Sequence, residues 1–174
     1  DETQRLRVPI PFLTTNTVGP TIAAFGDEDQ KASWLPRIVA GECLFSIGYS
    51  EPAAGTDLAS LSTRAVRDGD QWVITGQKMW TSLVDRADAV WLACRTDPDA
   101  PKHRGISMII VPTDSDGFSW TKVRTIGGGL TAATYYQDVR VPVGNTIGEV
   151  HGGWQLMTAQ LNHERIALAA AGPV

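Results

Sequence analysis

The chain has 174 residues, 43% of them hydrophobic, enough to bury roughly two-thirds of its unfolded surface around one real core, which argues against disorder. Its formal charge of −4 comes from interspersed acidic and basic residues without a Lys/Arg block, so neither nucleic acid nor an anionic membrane is an expected partner. Asp1 to Arg5 lack the basic-then-apolar order of a secretion signal, and no apolar run approaches bilayer length, so a cytoplasmic protein with no membrane span is expected.

The opening segment reads as helical. Asp27 with Gln30 three positions on forms a capping-box signature ahead of Trp34, Leu35, Ile38 and Val39, which predicts a helix from about Glu28 to Ala40 with a kink or early end at Pro36. From Cys43 to about Pro142 the pattern changes to short apolar runs punctuated by Gly, Asp and Pro, as in antiparallel strands. A hairpin joins Ser62–Arg67 to Gln71–Thr75 through Asp68-Gly69-Asp70, where Gly69 readily takes positive φ. Further strands are expected at Ala89–Arg95, Ile106–Val111, Phe118–Thr125 and Thr134–Val141, with Asp97–His103 as a surface loop. After Gly152-Gly153 the helical period returns, with Trp154, Met157, Leu161 and Leu168 on one face. Ile166 to Val174 reads as a helix cut off in mid-course, so the chain is expected to be a piece of a longer protein.

Two segments have the composition of a ligand site. Ile47 to Asp57 leaves a strand and enters a Gly/Pro-rich turn whose N–H groups and Ser50 and Thr56 hydroxyls can face an anion or a ring carbonyl. Gly76 to Ser82 closes the hairpin with an indole, Trp80, beside the Ser82 hydroxyl, a pairing suited to a planar heterocycle. Taken alone, each is more often an ordinary connection or a core tryptophan. Cys43 and Cys94 lie in apolar runs and read as small buried hydrophobes, with one disulfide left open. His103, His151 and His163 lack ligand spacing, so no metal is expected, and no hydrolase motif surrounds the hydroxyls.

Taken together, Ser50-Glu51-Pro52-Ala53-Ala54-Gly55-Thr56-Asp57, Gly76-Gln77-Lys78-Met79-Trp80, Asp138-Val139-Arg140-Val141-Pro142 and Leu161-Asn162-His163-Glu164-Arg165 resemble the acyl-CoA dehydrogenase family in order and spacing. The resemblance implies an α+β fold: the end of an N-terminal helical domain (residues 1–42), an antiparallel β-barrel-like FAD-binding middle domain (43–150) and the first helix of a C-terminal helical domain (151–174). It implies an oxidoreductase of fatty acid and lipid metabolism. Such an enzyme desaturates an acyl-CoA thioester with FAD, passes electrons to an electron-transfer flavoprotein, and acts as a homotetramer or mixed tetramer.

By the same resemblance Tyr49, Ser50, Gly55 and Thr56 belong to the flavin and pyrophosphate site, with Thr56 also near the CoA side, and Trp80, Thr81 and Ser82 line the flavin ring. Glu164 is the candidate base, on the stripe of Met157, Leu161 and Leu168 with no cation three or four positions away. Asn162 and Arg165 are implied on the substrate side. The chain departs from the family pattern at Leu83-Val84 and at Gly127-Gly128-Gly129. Those departures support one rival, a non-catalytic subunit of a mixed tetramer; a second, a flavin oxidase or monooxygenase, keeps the fold and the flavin but uses oxygen.

Overall fold

A computed structural model of the protein describes residues 11–127 and 130–170; the remainder of the opening segment, Gly128-Gly129 and the last four residues lie outside the described residues. Three helical stretches flank a β-sheet. A wide helical turn at Thr14–Val18 runs into α1 (Gly19–Phe25), and α2 follows at Glu28–Ala40. The capping box is present: the Asp27 carboxylate accepts from Gln30 N at 2.7 Å, and Gln30 Oε1 accepts from Asp27 N at 3.0 Å. Gly41, at φ 73°, ends α2 in the left-handed turn that favours glycine. The helix runs through Pro36 instead of ending there. Pro36 and Ala32 are both exposed, so the carbonyl that loses its N–H partner can turn to water. Ile38 is buried, whereas Val39, expected on the same apolar face, is 87% exposed.

The strands are β1 (Phe45–Gly48), β2 (Arg64–Asp68), β3 (Gln71–Lys78), β4 (Ala89–Arg95), β5 (Ile106–Pro112), β6 (Phe118–Arg124), β7 (Leu130–Pro142) and β8 (Thr146–Ile147). They form one sheet in the order β6-β7-β3-β2-β4-β5-β8, with β1 paired to β4 off that path. The sheet is open: β6 and β8 close its two ends without pairing to each other among the described residues, where barrel-like closure was expected. Nor is pairing antiparallel throughout, because β1 runs parallel to β4 and β2 meets β4 in parallel at Arg64 and Arg95. A chain that goes from β1 through a long loop into the β2–β3 hairpin can return alongside β1 in the same direction. Gly69 sits at φ 64° in the predicted hairpin turn, and a bulge interrupts β3–β7 pairing between Ile74 and Gly76.

β4 and β5 are buried on both faces, which is why they read as continuous apolar runs. Ala89, Trp91 and Ala93 face the helices with Ile22, Ile38 and Met157, while Val90, Leu92 and Cys94 face Trp72, Ile74 and Tyr136 of β3 and β7. Each fully buried large side chain contributes about 1.5–3 kcal/mol. The helical face thus carries α3 (Gly153–Ala170) against the sheet, with Leu156 and Met157 as its buried anchors; the Leu168 side chain lies outside the described residues. No helix among the described residues is long and apolar enough to cross a membrane.

Candidate active site

The end of β1, the end of β3 and the middle of α3 meet around a cleft of about 250 Å³. Five of the residues singled out in the sequence line it: Tyr49, Ser50, Trp80, Ser82 and Glu164. Leu13, Ile47, Met79 and Leu161 supply the apolar remainder of the wall. Segments more than a hundred residues apart in the chain therefore share one small space.

The backbone holds one of these residues, and one just beyond them, in unusual conformations. Trp80 has φ 65° and Leu83 φ 64°, left-handed values that cost bulky L-residues energy and that surrounding structure must enforce. The enforcement is visible on both sides: Met79 N donates to Ser50 O at 2.8 Å, and Thr81 N donates to Ala132 O at 2.9 Å. Between these anchors the Trp80 ring is turned outward, 57% exposed. Thr81 points the other way; its side chain is fully buried, 3.3 Å from the Thr134 hydroxyl. The Ser82 carbonyl accepts from Ser46 Oγ at 2.8 Å, which fixes the strand end from which its side chain meets the cleft.

Beneath the Ser50 turn lies an ion pair with no place in the expected site. Lys78 Nζ donates to Glu51 Oε1 at 2.9 Å and to the Tyr49 carbonyl at 3.0 Å, with side chains 0% and 4% exposed. Glu51 also accepts from Ser62 N and Ser62 Oγ on Oε2 and from Thr63 N on Oε1. Burial by itself would raise the Glu51 pKa; the Lys78 charge and these donors outweigh it and hold the carboxyl at about 2. Burial pushes Lys78 down from the ordinary lysine value, with Glu51 opposing. The pair becomes legible only once β3 is seen to run on to Lys78: Trp72, Ile74 and Lys78 then share its inward phase, and a lysine on a buried phase requires a carboxylate.

A second buried network joins the sheet to α3. Trp91 Nε1 donates to the Tyr49 hydroxyl at 3.1 Å, and that hydroxyl donates to Gln160 Oε1 at 2.5 Å. Burial raises the Tyr49 pKa, the Trp91 N–H opposes that, and the Glu164 carboxylate adds to the rise, so the phenol stays a donor. Glu164 itself is half-buried on the cleft wall. Gly55 and Thr56 are exposed at the tip of the turn, and Asn162 is exposed on α3; none of the three lines the cleft. The Arg165 side chain lies outside the described residues. Among the described residues no cluster of His, Cys, Asp and Glu could hold a metal, and both cysteines are free and buried.

Residues 46–139 match the family model of the acyl-CoA dehydrogenase middle domain, and residues 2–42 match that of the N-terminal domain. The chain belongs to the acyl-CoA dehydrogenase family. Acyl-CoA dehydrogenase FadE26 of Mycobacterium tuberculosis is 61% identical over 177 residues, which take in 100% of this chain and 44% of that protein. Two solved assemblies are as similar in sequence. The steroid ACAD Tcur3481-Tcur3483 superposes with a TM-score of 0.94 at 62% identity, over 97% of this chain and 44% of that one. The ChsE4-ChsE5 complex from Mycobacterium tuberculosis gives a TM-score of 0.88 at 62% identity, over 93% and 42%. This acyl-CoA dehydrogenase chain thus spans less than half the length of the relatives it matches.

The cleft suits the FAD that the family binds. An exposed indole beside the Ser50 and Ser82 side chains offers a flat face and hydroxyl donors to a planar, hydrogen-bonding ring.

Proposed function

We propose that the full-length protein desaturates an acyl-CoA thioester between its α and β carbons. The observation that carries this reading is the convergence of Glu164 with Trp80, Ser82 and Ser50 on one cleft. Glu164 removes the α proton, and the apolar wall of Leu13, Ile47, Met79 and Leu161 excludes water from its carboxylate. FAD, when bound, supplies the two-electron acceptor for the β hydrogen. Trp80 offers the ring its face; Ser82 and Ser50 offer hydroxyl donors; Thr81 holds the turn beside the ring through its N–H to the Ala132 carbonyl, with its side chain toward Thr134. Tyr49 supports the site from below, and Gly55 and Thr56, at the exposed tip of the turn, extend it toward the pyrophosphate and the CoA. Asn162 and Arg165 are assigned to the substrate side of α3.

In this reading residues 1–42, 43–150 and 151–174 are the end of the N-terminal domain, the β-domain and the start of the C-terminal domain. The β-domain keeps a barrel-like character through the bend that brings β7 against β4 and β5. Electrons pass to an electron-transfer flavoprotein, and the enzyme works in the cytoplasm on lipid-derived acyl groups as a tetramer. The similarity to a steroid ACAD supports a steroid-type acyl group, and the two-protein names of both similar assemblies support a mixed tetramer. They also favour a second reading, in which this chain is the non-catalytic partner.

Anaerobic visible spectroscopy of the purified full-length protein with straight-chain, α-branched and steroid-ring acyl-CoA thioesters separates the two. Bleaching of flavin bands by one thioester is expected. A colourless protein that assembles with a partner would establish the non-catalytic reading, and rapid reoxidation of reduced flavin by air would establish an oxidase.

A further inference from the structure

α3 carries Glu164, and among the described residues it meets the core through the buried Leu156 and Met157, with Trp154 and Leu161 partly buried against the same cluster. Its buried anchors Leu156 and Met157 lie two turns earlier, and apolar packing alone leaves a helix free to roll. Among the described residues, the bond from the Tyr49 hydroxyl to Gln160 Oε1 is the one side-chain hydrogen bond from α3 to the sheet. Gln160 is 1% exposed and stands four residues before Glu164, on the same helical face. Trp91 N–H donates to the Tyr49 oxygen and the Tyr49 proton goes to the Gln160 carbonyl, so the hydroxyl is satisfied both as acceptor and as donor. The Gln160 Nε2 is buried without a partner among the described residues, so the amide is held from its carbonyl side.

We propose that Gln160 is a positioning residue for the base: the chain Trp91–Tyr49–Gln160 fixes the rotation of α3 about its axis and so sets the Glu164 carboxylate in the cleft. The proposal rests on Glu164 being the base. Removing the bond leaves a buried hydroxyl without its acceptor and lets α3 roll, which displaces a carboxylate one turn on. Displacements near 1 Å cost up to about a hundredfold in rate.

The test uses the full-length holoenzyme and the thioester that bleaches its flavin fastest in the panel above. Gln160→Met keeps the length and apolar volume but has no carbonyl; Tyr49→Phe removes one oxygen and serves if Gln160→Met fails to assemble. Expected are normal flavin content, a KM within about threefold of the parent, a kcat lowered about ten- to a hundredfold, and a larger isotope effect with α-deuterated thioester. The double variant should be no slower than the slower single one. An unchanged kcat, a loss that merely follows flavin content, or additive losses in the double variant would overturn the proposal. Glu164→Gln separates the two levels: if it reduces its flavin at the parental rate, the assignment of the base fails whatever Gln160→Met does. If Glu164→Gln is inactive while Gln160→Met is normal, only the positioning role fails.

Discussion

Lys78→Met in the full-length protein tests whether the Ser50 turn stands on the buried ion pair. The substitution keeps a chain of similar volume but leaves the Glu51 carboxylate, 4% exposed, without its cation. Removing one partner of a buried pair costs about 3–5 kcal/mol. The three donors that remain, Ser62 N, Ser62 Oγ and Thr63 N, place this case at the lower end, about 3 kcal/mol. At roughly 4–5 °C per kcal/mol for a domain spanning residues 43–150, the thermal midpoint of the β-domain should fall by about 12–15 °C. Both groups have lowered folded pKa values, so each makes stability rise with pH, in different windows. Glu51 has a folded pKa of about 2 against an ordinary 4.5, so its stabilisation is present above 4.5 and is lost as pH falls toward 2. Lys78 has a lowered folded value, so charging it opposes folding below that value and the opposition is relieved as pH rises through it. The pair therefore stabilises through Glu51, and the deficit of Lys78→Met should be largest above pH 4.5 and shrink as pH falls, because without the cation burial raises the Glu51 pKa and its protonation relieves the unpaired charge. Glu51→Gln combined with Lys78→Met should lose less than Lys78→Met alone, because no buried charge is left. A single variant that melts within about 2 °C of the parent, or a double variant that melts lower than the single one, refutes this account.

Asp27→Ala removes the cap of α2 and should cost about 1 kcal/mol, read as a fall in denaturant midpoint with an unchanged slope. Gly117→Ala should cost more. Gly117 has φ 83°, and an added Cβ would lie 2.3 Å from the Gln137 carbonyl oxygen, so the turn between β5 and β6 must move away from β7; lower soluble yield and midpoint are the readouts. Burial pushes the Cys43 and Cys94 thiols up to about 11 and about 12, so neither should react with a thiol reagent at pH 8 until the protein is unfolded.

Local rules made most of the elements legible. The Asp27 and Gln30 pair predicted where α2 begins, Gly69 the hairpin, and uninterrupted apolar runs the two central strands, because each depends on residues within a few positions of one another. What the local pattern left out is the direction and closure of the sheet. β1 pairs parallel to β4 through Phe45 and Ala89, forty-four residues apart, and the choice between a parallel and an antiparallel return depends on where the β2–β3 hairpin packs. Val39 was misread for a related reason. Its position on the helix is apolar by period, but Gly41 turns the chain away before the sheet can cover it.

The site divides along the same line. Ser50, Trp80, Ser82 and Glu164 were accessible through motifs, since hydroxyls, an indole and a carboxylate advertise chemistry by residue type. The groups that hold them do not. Lys78 reads as a solvent-facing lysine until β3 acquires a buried phase, and Gln160 reads as an exposed helical glutamine until Tyr49, 111 residues earlier, is placed beneath it. Trp80 is a further instance: nothing in its type demands a φ of 65°, which follows from anchoring of Met79 to Ser50 and of Thr81 to Ala132 on either side. Groups that touch a ligand are constrained by the ligand's chemistry, which is general, whereas groups that orient them are constrained by the register of this one fold. The second set therefore becomes legible only when distant segments are brought together, and substitutions there should separate geometry from chemistry most cleanly.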